Sequence, residues 1–236
     1  MAGHLEGQLA LVTGASRGIG AATAEALAGK GAHVVLTART AAGLEEVEER
    51  IHLAGGRATI APLDLTDGDS IARLATAVSG RWQALDVLVL NAATLGTLTS
   101  VTAIDGKEFN RVLTLNVVAQ QALIAAFDPL LRSSAAGRLI AITSSVGQRP
   151  RAYWGAYGAS KAALENLVLA YADEVGNTTA IRTAIVNPGP TATVMRARAF
   201  PGEDPATLKP PSAVAEAIAE LLREDFENGH RLGLPR

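Results

Sequence analysis

The chain has 236 residues, 48% of them hydrophobic and 19% charged, which is material for one large core and unlike a disordered or fibrous composition. Its 21 Lys and Arg against 23 Asp and Glu give a net charge of −2, without the broad basic surface of a general nucleic-acid binder. The absence of cysteine excludes disulfides, thiolate nucleophiles and iron–sulfur clusters, and the four histidines, His4, His33, His52 and His230, show no metal-site spacing, so no metal is expected.

The segment 1–8 has no basic stretch leading into an apolar run, so no secretory leader is expected. The uncharged stretches 87–104 and 112–127 are interrupted by Asn, Thr or Gln, which argues against a membrane span and for a cytoplasmic protein. Six short, continuous apolar runs read as strands buried on both faces: Leu9–Thr13, His33–Ala38, Ala58–Pro62, Asp86–Leu90, Leu139–Thr143 and Arg182–Val186. Between and after them, Gly18–Gly29, Ala42–Ala54, Asp69–Ser79, Lys107–Leu131, Tyr157–Glu174 and Ser212–Arg223 carry apolar residues at helical spacing, with Asp67 and Ser212 as expected N-caps. This alternation predicts a single-domain α/β fold over residues 1–236, a Rossmann-type doubly wound parallel sheet with helices on both faces. The segment Pro188–Pro211 holds six of the ten prolines and is long for an internal connection, as expected of a substrate-binding loop or lid. The tail 227–236 gives only a weak signal for an edge strand around His230–Leu234, because of its Gly, Pro and Arg content.

The first strand runs into Gly14-Ala15-Ser16-Arg17-Gly18-Ile19-Gly20 and then an alanine-rich helix. A Gly-x-x-x-Gly-x-Gly turn in this setting lets backbone approach a pyrophosphate while the helix N-terminus aims unpaired N–H groups at it. The second strand ends in Ala38-Arg39 without the acid that would hydrogen-bond an adenosine ribose 2′-OH. Arg39 offers a planar cationic fork for a 2′-phosphate and Arg17 a second charge, so NADP(H) is expected over NAD(H).

Tyr157 and Lys161 stand four apart near the start of a helix and share a face. A neighbouring ammonium and an oxidised nicotinamide both favour the phenolate, which would let Tyr157 exchange a proton with a substrate oxygen. Thirteen residues upstream, Ser144 follows a strand at the C-terminal edge of the sheet, where open α/β sheets bind ligands, and a hydroxyl there can hold a substrate carbonyl. Ser145 competes for that role.

With Thr13-Gly14-x-x-x-Gly18-x-Gly20, Asp64-Leu65, Asn91-Ala92-Ala93, Asn116, Ser144, Tyr157-x-x-x-Lys161 and Pro188-Gly189, the chain resembles the short-chain dehydrogenase/reductase family along nearly its whole length. The resemblance implies Tyr157 as catalytic acid/base, Lys161 lowering its pKa and holding the nicotinamide ribose, Ser144 positioning the carbonyl, and Asn116 keeping a water in the proton relay. It also implies Asp64 and Leu65 beside the adenine, Asn91 and Ala92 along the cofactor groove, and Thr191 and Thr193 after Pro188-Gly189 near the carboxamide. By the family pattern Ser144 is preferred to Ser145. Two departures stand out: Asn-Asn-Ala-Gly reads Leu90-Asn91-Ala92-Ala93, and the C-terminal end lacks a recognisable last strand and glycine-rich tail. The segment 188–201 and Trp154-Gly155-Ala156-Tyr157 are similar to a bacterial subgroup of unassigned substrate.

The activity implied is hydride transfer between NADP(H) and a small-molecule carbonyl or secondary alcohol, with homodimer or homotetramer assembly and neither nucleic-acid nor membrane partners. The alternative is a non-catalytic NADP(H)-sensing or scaffold protein, which loss of the tyrosine or lysine would have favoured. Arg149, Arg151, Arg196 and Arg198 flank the expected substrate mouth, where they either select an anionic group or are ordinary solvated side chains.

Overall fold

The computed structural model describes residues 3–235. Its sheet contains β1 (Leu9–Thr13), β2 (His33–Ala38), β3 (Arg57–Pro62), β4 (Val87–Leu90), β5 (Arg138–Ile142), β6 (Arg182–Asn187) and β7 (His230–Gly233). The order is β3-β2-β1-β4-β5-β6-β7, and every neighbouring pair runs parallel. The order reverses between β1 and β4, so the chain leaves these two strands in opposite directions and opens a crevice beyond their C-terminal ends.

Beta7 forms where the sequence carries only a weak edge-strand signal, around His230–Leu234, at the end that lacks a recognisable family last strand. Its sequence is a poor strand former, but partners impose the pairing: Asn228 Oδ1 accepts from Thr183 N at 2.8 Å, and Leu234 N donates to Asn187 O at 2.9 Å. Strand formation here follows context rather than propensity.

The helices are α1 (Gly18–Gly29), α2 (Ala41–Leu53), α3 (Gly68–Ser79), α4 (Gly106–Leu113), α5 (Ala119–Ser133), α6 (Ser145–Gln148), α7 (Gly155–Gly176), α8 (Val194–Ala199) and α9 (Pro211–Leu221). Asp67 caps α3 by accepting from Asp69 N at 3.3 Å, as expected. Ser212 is not a cap, because α9 already begins at Pro211 with its fixed φ, and Pro210 takes the capping position. The expected single helix 107–131 is split by a π-turn at Thr114–Val118, where Ala119 N reaches back five residues to Thr114 O. Gly106–Ser133 is long and apolar enough to span a membrane by composition, yet Leu123, Phe127 and Leu131 bury its inner face on the sheet.

Alternation along the strands divides the core between the two faces of the sheet. Ala10, Val12, Val34, Leu36, Val89 and Ile140 pack with α1, α2 and α9, whereas Leu9, Leu11, Val35, Leu88, Leu90 and Leu139 pack with α3, α5 and α7. Both faces are covered, which explains why the strand sequences are continuously apolar.

Candidate active site

A cleft of about 790 Å³ lies over the C-terminal ends of the strands at the crevice. Gly14, Ser16, Arg17, Gly18 and Ile19 line it on one side, Arg39, Asp64 and Leu65 at one end, and Asn91 and Ala92 along the floor. Ser144, Tyr157 and Lys161 border it, and Pro188, Gly189, Thr191 and Thr193 complete it from the segment after β6.

The turn after β1 is built for close approach. Gly14 has φ +65°, and a Cβ there would meet Asn91 Nδ2 at 2.9 Å. Gly20 does not line the cleft. It lies beneath the turn, where a Cβ would stand 2.3 Å from Gly14 O and 2.5 Å from Asn91 Nδ2, so its absent side chain lets the turn, α1 and β4 pack together. Asn91 stitches that floor by donating to Thr13 O at 2.8 Å and Gly14 O at 3.2 Å. No side chain caps α1, which leaves its leading N–H groups directed at the cleft. Arg17 and Arg39 are exposed and form no ion pair among the described residues. Asp64 Oδ1 accepts from Thr66 N at 2.9 Å and from its hydroxyl at 2.7 Å. These bonds outweigh burial and hold the Asp64 carboxyl below its ordinary range, with Arg39's charge adding to the effect. Glycine turn, uncapped helix and free cations fit a phosphate-bearing dinucleotide.

At the other end, α7 places Tyr157 and Lys161 on one buried face. Lys161 Nζ donates to Ile142 O at 2.8 Å and sits 5.7 Å from the Tyr157 ring centroid. Burial pushes the Lys161 ammonium down to about 8, an effect that Glu165's charge opposes. Burial also drives the Tyr157 phenol well above its ordinary value, which favours its protonated form. Among the described residues no hydrogen bond engages the Tyr157 or Ser144 hydroxyl. Asn116 does not line the cleft. Fully buried in the π-turn, it accepts from Thr94 N at 2.8 Å and donates to Thr94 O at 2.9 Å and Ser160 Oγ at 3.0 Å. Its side chain therefore ties the segment after β4 to α7.

Leu95, Val146, Leu98, Trp154, Met195 and Ala199 pack around Tyr157, while Arg111, Arg196 and Arg198 line the same cleft. Arg196 is engaged within the chain: Nε and Nη2 grip Glu203 at 2.5 and 2.8 Å while its guanidinium stacks on Phe200 at 3.7 Å. Arg151 also lies over Phe200, at 5.0 Å. Arg149 and Arg198 are exposed. Tyr153 holds a left-handed φ of 72° at this rim, where its carbonyl accepts from Thr99 N at 3.0 Å.

Sequence reasoning missed Glu165, Arg231 and Lys209. Glu165 was visible one turn beyond Lys161, whereas Arg231 comes from β7, which the sequence signalled only weakly. Lys209 folds the 188–211 segment back by donating to Pro188 O at 2.9 Å and Leu234 O at 3.2 Å, a pairing that no local pattern encodes.

Sheet order, crevice and turn define a Rossmann-type α/β protein. The family model for short chain dehydrogenase matches residues 8–204, and the chain belongs to that family of oxidoreductases. It is 37% identical over 224 residues to the uncharacterized oxidoreductase YciK of Escherichia coli K12, covering 94% of this chain and 88% of that one. A short chain dehydrogenase structure from Pseudomonas syringae superposes with a TM-score of 0.94 at 40% identity, covering 98% and 97% of the two chains. Another, from Shigella flexneri 2a strain 301 and complexed with NADP, superposes at 0.92 with 36% identity and 97% coverage of both.

Proposed function

We propose that this oxidoreductase uses NADP(H) to interconvert an apolar carbonyl compound and its secondary alcohol, with Tyr157 as the acid/base. The observation that carries this reading is one cleft with free arginines and an uncapped helix at one end and a buried Tyr157–Lys161 pair beside Ser144 at the other. The NADP complex of the Shigella flexneri relative supports the cofactor assignment. The turn Gly14–Ile19 would receive the pyrophosphate, Arg17 and Arg39 the 2′-phosphate, and Asp64 and Leu65 the adenine. Asn91 and Ala92 would form the groove floor, while Pro188, Gly189, Thr191 and Thr193 would hold the nicotinamide end. When bound, the cofactor supplies or accepts a hydride at nicotinamide C4.

In the reducing direction Ser144 donates a hydrogen bond to the substrate carbonyl oxygen, where negative charge develops. Tyr157 gives that oxygen its proton, which suits a phenol that burial keeps protonated. The Lys161 ammonium stabilises the phenolate left behind and also grips Ile142 O, keeping β5 and α7 in register. Asn116 acts as a positioning residue by fixing the segment after β4 against α7. The 188–211 segment serves as the substrate loop, and the aromatic and aliphatic mouth selects bulky apolar carbonyls over small anions. Cytoplasmic placement and a homo-oligomer built through the flanks of α5 and α7 belong to the same reading.

The test is a panel of ketones, quinones and acyl thioesters followed by loss of NADPH absorbance, with Tyr157→Phe alongside. Turnover that requires the hydroxyl supports catalysis. NADPH binding with no turnover on any carbonyl class would instead support a non-catalytic sensor.

A further inference from the structure

Glu165 lies on α7 one turn beyond Lys161 and is only 5% exposed. A buried carboxylate is tolerated when it is paired and fully hydrogen-bonded, and this one is. Its Oε1 accepts from Thr143 Oγ1 at 2.5 Å; its Oε2 accepts from Gln148 Nε2 at 3.0 Å and from the Arg231 guanidinium at 2.6 Å. Four elements meet at this carboxyl: α7, the end of β5, α6 and β7.

The two α7 side chains grip the last residue of β5 and the one after it. Lys161 Nζ holds Ile142 O, and Glu165 holds the Thr143 hydroxyl, immediately ahead of Ser144. The position of Ser144 relative to Tyr157 is therefore set from below by these two contacts. On the charge side, Glu165 faces Lys161 from the same helix and Arg231 faces Glu165 from β7. Thr143 and Gln148, contributed by β5 and α6, are uncharged. Burial alone would push the Glu165 carboxyl up, but bonds from Thr143, Arg231 and Gln148 together with Arg231's charge bring it below its ordinary range, so it stands as a carboxylate.

We propose that Glu165 is a positioning residue for the reaction, and that its ion pair with Arg231 balances the charge beneath the Lys161–Tyr157 pair. This rests on the catalytic reading of Tyr157 and Lys161 given above. Through the pair, the last strand of the sheet takes part in the proton chemistry without touching substrate. Glu165's charge favours the proton on Lys161, and Arg231, paired with that carboxylate at 2.6 Å, offsets part of it.

Opposite charges at one point make the two single variants move the pH profile in opposite directions. Reduction needs a proton on Tyr157, so turnover falls as pH rises through the pair's midpoint. In Arg231→Met the uncompensated carboxylate moves this alkaline limb up by roughly a few tenths of a unit, as expected for a charge one helical turn from Lys161 and two from Tyr157. In Glu165→Gln the guanidinium, farther off and half-exposed, moves it down by less, and the double variant lies between the two single ones. Arg231 is half-exposed, so its replacement spares the core even if Glu165→Gln folds poorly. The experiment records kcat for NADPH-dependent reduction against pH in the full chain, with NADPH affinity and circular dichroism as controls. Shifts in the same direction, or lower kcat with an unmoved limb, overturn the inference while leaving Tyr157 catalysis standing. Undiminished turnover in Tyr157→Phe removes the underlying reading, and the inference with it.

Discussion

Replacing Arg39 with Leu separates the two nicotinamide dinucleotides. Arg39 is exposed at the adenine end of the cleft and has no ion pair among the described residues, so its replacement removes only a longer-range effect of its charge on Asp64, which both dinucleotides meet alike. A hydrogen bond to a charged group contributes about 1.5–3 kcal/mol, and solvent screening at an exposed rim favours the lower end. About 1.4–2 kcal/mol corresponds to a roughly tenfold to thirtyfold rise in the NADPH dissociation constant. The NADH constant should change less than about twofold, because its ribose offers no phosphate to the arginine. Fluorescence titration of wild type and variant with both dinucleotides measures this without knowledge of the substrate. Added salt should weaken NADPH binding to wild type more than to the variant. Equal losses for the two dinucleotides, or an unchanged ratio, would refute the assignment of Arg39 to the 2′-phosphate.

Gly20→Ala forces a Cβ within 2.3 Å of Gly14 O, and such overpacking against fixed backbone costs about 1–3 kcal/mol. Thermal unfolding should occur at lower temperature, and both dinucleotides should bind more weakly in equal measure; an unaltered protein would contradict the packing role. Arg196→Ala removes the Glu203 clamp and the Phe200 stack, so KM should rise alike for neutral and acidic carbonyl substrates. A rise confined to acidic substrates would show that Arg196 binds anions. Lys161 keeps its proton to about pH 8 in the folded chain but to its ordinary 10.5 when unfolded. Between these values the unfolded chain binds more protons, so stability rises with pH. Urea titration of the ligand-free protein should show wild type gaining stability over Lys161→Met from pH 8 to 10, and parallel curves would deny that the lysine is desolvated.

Six strands and the crevice were legible because parallel strands covered on both faces read as unbroken apolar runs, as in Leu9–Thr13 and Val87–Leu90. The cleft-lining glycines, Tyr157 and Lys161 were legible because their spacing within one turn or helix fixes their geometry. Beta7 was legible only as a weak signal, since Asn228 and β6 organise it through contacts distant in sequence. The π-turn was hidden because Thr114–Val118 carries an ordinary helical pattern, and only the burial of Asn116 against Thr94 and Ser160 marks it. The mouth arginines show the limit of local reading: Arg196 and Glu203 are seven residues apart in an irregular segment, and no periodicity predicts that they join.

The most direct measurement is single-turnover reduction of an active carbonyl substrate by NADPH in wild type and Tyr157→Phe, with cofactor affinity determined on the same samples. The phenylalanine variant should bind NADPH as wild type does and lose at least about 10²-fold in rate, the usual contribution of a positioned proton donor. A folded, NADPH-binding variant that reduces the substrate at the wild-type rate would contradict the role given to the phenol.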